Sequence, residues 1–218
     1  MKTKDYLKYL EYPLIQDEKM FRYNTDTVAL GTFLDSLKGR SVLDIGTNNG
    51  ALLLYAYDKG AKELHGVDIF KEAIEIAEEN ISKYTDNYHF YHCRVQDLGD
   101  VKVDTVICNP PYFEMNNVTD NKYYRAAMFE ESLPIDDLFK AFRDHMKDNG
   151  EVYMLYQADR FPELYSMCLK YKLKIMKIQF VHDIHSKYAL RVLLKLKIGP
   201  MTKLRVGKPM MIDNGELL

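Results

Sequence analysis

The stretch Val106-Ile107-Cys108-Asn109-Pro110-Pro111-Tyr112-Phe113 ends an apolar run in an amide, two prolines and two aromatic rings. A turn alone needs none of these, but chemistry on a planar amine does. The lone pair of an exocyclic amine is delocalised into its ring, so the nitrogen is a poor nucleophile until acceptors hold its two hydrogens and turn it towards an electrophile. The amide oxygen of Asn109 and the carbonyl of Pro110 can be those acceptors. Proline fixes φ, which aims a carbonyl with little residual freedom. Tyr112 offers a flat face on which a base or another planar group can stack.

Three further segments carry polar groups in comparable places. Asp44-Ile45-Gly46-Thr47-Asn48-Asn49-Gly50 has glycines that let backbone amides approach a ligand ahead of a helix. It lacks both the G-x-G-x-x-G spacing and a following Gly-Lys-Ser/Thr. An acid two residues before the first glycine suits a ligand with a positive centre. Asp68 lies about twenty residues further on, where an acid commonly accepts hydrogen bonds from ribose hydroxyls. Gln96-Asp97-Leu98 puts an acceptor where an adenine amino group could lie. Each acid alone reads equally as a helix cap or turn former. Together, at the ends of successive strands, they describe a nucleoside pocket.

The elements that must position these residues alternate β-rich and helical patterns, which argues for βα units and a mostly parallel sheet. Strands are expected at 41–45, 62–68, 88–95, 103–108 and 151–156. Helices are expected at 49–59, 71–82, 135–146 (stopped by Asn149-Gly150) and 160–171. Two last strands, 174–181 and 189–197, have no helix between them and should pair antiparallel. The lysines 170, 172 and 174 read as sharing one face of an extended segment, and Lys195 and Lys197 as sharing another. Residues 114–132 form the one long irregular connection.

With 218 residues, the chain is expected to be a single domain overall, an N-terminal leader over 1–40 with a helix packed on a catalytic domain over 41–218. It has no run of eighteen apolar residues and no signal-like start, so a cytoplasmic protein without a membrane contact is expected, with a monomer favoured. Cys93, Cys108 and Cys168 are scattered, and His89, His92 and Cys93 alternate faces of a strand, so no metal is expected. The net charge is only −2, but 170–208 carries eleven Lys or Arg against one acid, Asp183. Such asymmetry fits contact with a polyanion, and equally a set of strands with solvated outer lysines. Lys172, Lys174, Lys195 and Lys197 are the candidate phosphate contacts.

The Asp44 to Gly50 loop, Asp68, Asp97 and Asn109-Pro110-Pro111-Tyr112 together resemble a class I S-adenosylmethionine-dependent methyltransferase of the amino-methylating group. The leader Phe21-Arg22-Tyr23-Asn24-Thr25-Asp26-Thr27-Val28-Ala29-Leu30 and the tail from Lys174 to Lys208 are similar to those of the bacterial tRNA(Val) adenine-37 N6-methyltransferases. The resemblance implies a Rossmann-like α/β fold, with a mostly parallel seven-stranded sheet, an antiparallel C-terminal strand and helices on both faces. It implies S-adenosyl-L-methionine as cofactor and the anticodon stem-loop of a tRNA as partner. Asn109, Pro110, Pro111 and Tyr112 would then be catalytic. The cofactor would lie on Asp44, Gly46, Thr47, Asn48 and Gly50, with Asp68 and Ile69 at the ribose, Asp97 at its adenine and Asn109 beside it. Phe113 would wall the substrate pocket. Relatives often have Ala-Arg-His-Glu where this chain has Ala127-Met128-Phe129-Glu130, so Arg125 stands as a substitute for that arginine. The same motif also serves glutamine methylation of release factors and amino methylation of ribosomal RNA or DNA. A nucleotide-binding module or oxidoreductase without methyl transfer would leave the Asn109 to Tyr112 motif unexplained.

Overall fold

Buried aliphatic runs alternate with amphipathic stretches through most of the chain, and they build a sheet covered on both faces. The computed structural model describes residues 1–112, 121–128, 130–200 and 203–218. An antiparallel hairpin of β1 (Lys2–Tyr6) and β2 (Pro13–Asp17) leads into α1 (Thr25–Phe33). There follow β3 (Ser41–Ile45), α2 (Ala51–Asp58), β4 (Glu63–Asp68), α3 (Lys71–Ile81), β5 (Tyr88–His92) and β6 (Val103–Cys108). After these come α4 (Lys122–Met128), α5 (Ile135–His145), β7 (Met146–Gln157), α6 (Phe161–Lys170), β8 (Lys174–Asp183) and β9 (Ala189–Lys197). Three short strands close the chain: β10 (Arg205–Val206), β11 (Met210–Asp213) and β12 (Glu216–Leu217).

The large sheet has the order β12-β11-β8-β9-β7-β6-β3-β4-β5, with β10 also pairing β8. Strands β3 to β7 run parallel, and β9 is antiparallel to both neighbours. The expected α/β sheet with an antiparallel strand near its C-terminal side is therefore present. Central β3 is buried at every position, as a strand covered on both faces must be. In α3 the buried Ala73, Ile74, Ala77 and Ile81 fall at helical spacing. Asn24 and Thr27 form a reciprocal capping box that starts α1. Gly31 lets α1 approach α2 closely, because a Cβ there would lie 2.4 Å from the Tyr55 ring.

Several expectations on element boundaries are corrected. The β1–β2 hairpin and the strands β10 to β12 went unforeseen because none is longer than five residues, too short to show a clear alternation. Strand β5 stops at His92, and 95–97 turns as a 3-10 helix. Asn149 and Gly150 do not stop α5, which ends at His145. They lie inside β7, where the register slips between Val103↔Met146 and Thr105↔Glu151. The second half of the 114–132 connection contains α4.

The segment from Lys170 to Lys174 is not a strand. Lys170 ends α6, and Lys172 has a left-handed φ of 57°. Leu173 N donates to Cys168 O at 2.9 Å and Lys172 N to Leu169 O at 3.3 Å, the two bonds of a Schellman cap that ends a helix. The three lysines therefore share no strand face.

Candidate active site

The carboxyl ends of β3, β4 and β6 meet at a cavity of about 400 Å³. Its walls include Asp44, Thr47, Asp68, Asn109 and Tyr112 from the strand ends, and Phe21 to Asn24 from the leader. The floor is the turn after β3. Gly46 and Gly50 take left-handed φ values of 73° and 77°, and Asn48 takes 49°, a conformation open to Gly and tolerated by Asn. The Gly46 and Thr47 amides both donate to Val67 O, at 2.9 and 3.0 Å. Asn48 N donates to Asp68 Oδ2 at 2.9 Å, and Asn48 Nδ2 to Phe21 O at 2.5 Å. One asparagine thus ties the turn to both β4 and the leader.

The electrostatics of this floor are uncommon. Asp44 is 1% exposed, and neither of its oxygens has a hydrogen-bond partner among the described residues; nor do Thr47 Oγ1 and Asn109 Oδ1. Burial pushes the Asp44 carboxyl up to about 7; the nearby Thr47 hydroxyl opposes this without reaching hydrogen-bond geometry, and the Asp68 charge adds to it. The buried orphans can all act as acceptors. They fit a ligand that brings donors and positive charge, which is what the ammonium and sulfonium of S-adenosylmethionine offer at Asp44. Asp68 is 9% exposed and accepts from Phe70 N at 3.0 Å as well as from Asn48. Burial raises its pKa while those amides oppose the rise. A carboxylate has about four lone-pair sites, so it retains capacity for two hydroxyls.

Asn109, Pro110 and Pro111 follow β6 and line the same cavity. Tyr112 differs from expectation. Its ring is 6% exposed and meets Tyr156 edge-on at 5.6 Å. Its hydroxyl donates to Asp26 Oδ2 and accepts from Arg191 Nε at 3.0 Å. Arg191 Nε also bonds Asp26 Oδ2 at 3.1 Å, and its guanidinium lies 4.9 Å from the Tyr112 ring centroid. Burial, and then the Asp26 charge, push the phenol well up, so it stays a donor. Tyr112 is a clamped wall, not an open platform. The Asp26, Tyr112 and Arg191 cluster joins α1, the loop after β6 and β9. The sequence signalled it only by an acid in the leader and an arginine in a basic run.

Other expected site residues are less central. Ile69 is exposed at the cavity edge. Asp97 is exposed at the end of the 3-10 turn and is not a cavity wall; its neighbour Gln96 is. Arg125 is exposed on α4 and does not line the cavity. Phe113 lies outside the described residues, as does Phe129. Lys174 and Lys197 pair across β8 and β9 at the opposite end of the sheet, because β9 runs antiparallel. Lys195 is held by Asp35 at 3.0 Å and Glu151 at 3.2 Å, with its side chain 16% exposed. Lys172 caps α6. The structure brings none of these four lysines to the cavity.

A parallel sheet with acids and an Asn-Pro-Pro-Tyr loop at its carboxyl edge is the architecture of a class I S-adenosylmethionine-dependent methyltransferase. The chain belongs to that class: a family described as "Methyltransferase domain" matches residues 36–194. Two relatives named tRNA1(Val) (adenine(37)-N6)-methyltransferase are similar to it. The one from Cytophaga hutchinsonii is 23% identical, with 89% of this chain and 84% of that protein covered. The one from Vibrio vulnificus is 30% identical, over 75% of this chain and 71% of that protein. The solved structure of SMU.776 complexed with SAH shares the fold at a TM-score of 0.63 and 16% identity, covering 90% of this chain and 56% of that one. No helix among the described residues is long and apolar enough to cross a membrane.

Proposed function

We propose that this enzyme transfers a methyl group from S-adenosylmethionine to the N6 amine of an adenosine in tRNA, at position 37 beside the anticodon of tRNA(Val). The observation that carries the amine as target is the buried Asn109 Oδ1 at the cavity, which has no hydrogen-bond partner among the described residues. An amine hydrogen donated to it, with the other given to the Pro110 carbonyl, turns the nitrogen lone pair out of conjugation. The cofactor supplies an already activated methyl when bound. The chain's own share is alignment and exclusion of water. Asp44 and the Gly46 to Gly50 turn would hold the methionine end, Asp68 the ribose, and Gln96, rather than Asp97, borders the space for the cofactor's adenine. The Asp26 and Arg191 contacts hold Tyr112 at one wall.

The choice of tRNA rests on the two similar relatives. The β8–β9 turn supports a nucleic-acid partner, since it carries exposed Lys187 and a Tyr188 that is 71% exposed at the cavity end of the sheet. One contiguous apolar core runs from Leu7 in the leader to Leu196 in β9, in keeping with a single domain. The test is incubation of the purified protein with isotopically labelled S-adenosylmethionine and unmodified tRNA, followed by nucleoside mass spectrometry. Labelled N6-methyladenosine in tRNA is expected. Label on a release-factor glutamine or on ribosomal RNA instead would overturn the proposal.

A further inference from the structure

A second cluster of donor atoms lies away from the cavity. His89 on β5 is paired directly with His65 on β4, not with His92 or Cys93. Glu63 falls two residues before His65 and therefore shares its face. Tyr88, on the opposite face of β5, reaches Glu78 of α3, so the cluster faces away from that helix. Glu63 Oε1 lies 3.3 Å from His65 Nε2 and 3.5 Å from His89 Nε2. All three donor atoms lie within 4.8 Å of one another. Ligand atoms around tetrahedral zinc stand about 3.3 Å apart at ordinary bond lengths. Two of the three edges already have that length. The third closes by rotation of His89, whose side chain is half exposed.

We infer that Glu63, His65 and His89 bind a zinc-class divalent cation that clips the edge strand β5 to β4. The imidazole pair and single carboxylate are borderline-soft donors, suited to zinc rather than magnesium. His65 Nδ1 contacts the Tyr91 hydroxyl at 3.1 Å. Such an outer partner fixes the tautomer so that Nε2 keeps its lone pair for the cation. His65 is 8% exposed, and its ring stacks on that of His89 with centroids 4.8 Å apart, so the two imidazoles already stand side by side. Lys147 puts an adverse charge near His65, and its ammonium is held by Asp104 at 3.1 Å. Half-exposed Glu63 and His89 leave the fourth position open to water. The site stands about 10–17 Å along β4 from Asp68, at the usual rise of a strand, and none of its three residues lines the cavity, so it is separate from methyl transfer.

Protein stripped with a chelator is titrated with zinc chloride by calorimetry, with magnesium chloride as the hard-cation control. Saturable binding of a single zinc is expected, weakened at least about tenfold in His89→Ala and Glu63→Gln, and about tenfold in Tyr91→Phe. Zinc should raise the unfolding temperature of the native chain and leave that of His89→Ala unchanged. Absence of saturable zinc binding overturns the inference. So does zinc binding by His89→Ala at native affinity, which would put the cation elsewhere, for instance on the Cys93 thiol.

Discussion

The cavity floor and the basic segment from 170 to 208 both stand out by charge, yet they are opposite in one respect. In the floor, oxygens of Asp44, Thr47 and Asn109 are buried with no partner among the described residues. In the segment, Lys170, Lys177, Arg191 and Lys195 each meet an acid from elsewhere in the chain: Asp136, Asp35, Asp26, and Asp35 with Glu151. A buried group left without its hydrogen bond costs about 1–3 kcal/mol, and a ligand that supplies the donor recovers it. A lysine already paired at the surface is worth about 0–1 kcal/mol and has little left to offer. What a polar residue can do is decided by whether the fold has already partnered it, which a count of charges does not reveal.

The largest expected effect is at Asn109. Asn109→Ala should slow methyl transfer by at least about 100-fold, the order of loss that follows misplacement of a reacting group, while the dissociation constant for S-adenosylmethionine is unchanged. Single-turnover rates and calorimetry measure the two separately. If cofactor binding fell in step with rate, Asn109 would hold the cofactor rather than the amine and the division of roles would fail.

Arg191 is the member of the basic segment that reaches the site, and it sharpens the contrast. Its side chain is 20% exposed and that of Asp26 15%. Removing one partner of such a pair costs about 3 kcal/mol, the low end of the range for buried pairs. Arg191→Gln should lower the unfolding temperature and the turnover number together. Arg191→Lys should recover more stability than turnover, because a lysine cannot keep both the Nε bonds and the planar contact with Tyr112. Equal recovery of both would make the arginine a structural cation alone.

The smallest effects separate lysines by place. Lys187 stands at the cavity end of the sheet and Lys174 at the other. Lys187→Gln should flatten the salt dependence of tRNA binding by about 0.7–0.9 in log–log slope, one phosphate's worth; Lys174→Gln should leave it unchanged. Lys195→Gln should lower stability by about 1 kcal/mol without altering the slope. A flattened slope in Lys174→Gln would extend the RNA surface to the far end of the sheet.

The sheet and the strand-end residues that line the cavity were legible because they rest on local signals. Buried runs such as Ser41 to Ile45, amphipathic spacing in α3, and the order of Asp44, Asp68 and Asn109 along the chain need no knowledge of distant contacts. Misplaced lysines share one cause: reading them required the direction of β9 and the cap at Lys172, and both are set by tertiary pairing. Tyr112 was legible as a site residue but not as a clamped one, since Asp26 and Arg191 come from 86 residues before and 79 after it. His65 and His89 lie on different strands, so their pairing waited for the register.

Proton release on cofactor binding tests the central claim most directly. A carboxyl at about 7, above its usual range, is mostly protonated below that pH, and a positively charged ligand favours its ionised form. Affinity for S-adenosylmethionine should therefore increase as pH rises to about 7 and then level off, with roughly three-quarters of a proton released at about pH 6.5. Calorimetry in two buffers of unlike protonation enthalpy reads that number, and Asp44→Asn should abolish it. Binding with no net proton release, at an affinity independent of pH from about 5.5 to 7.5, would contradict an unpartnered Asp44 as the cofactor's anchor.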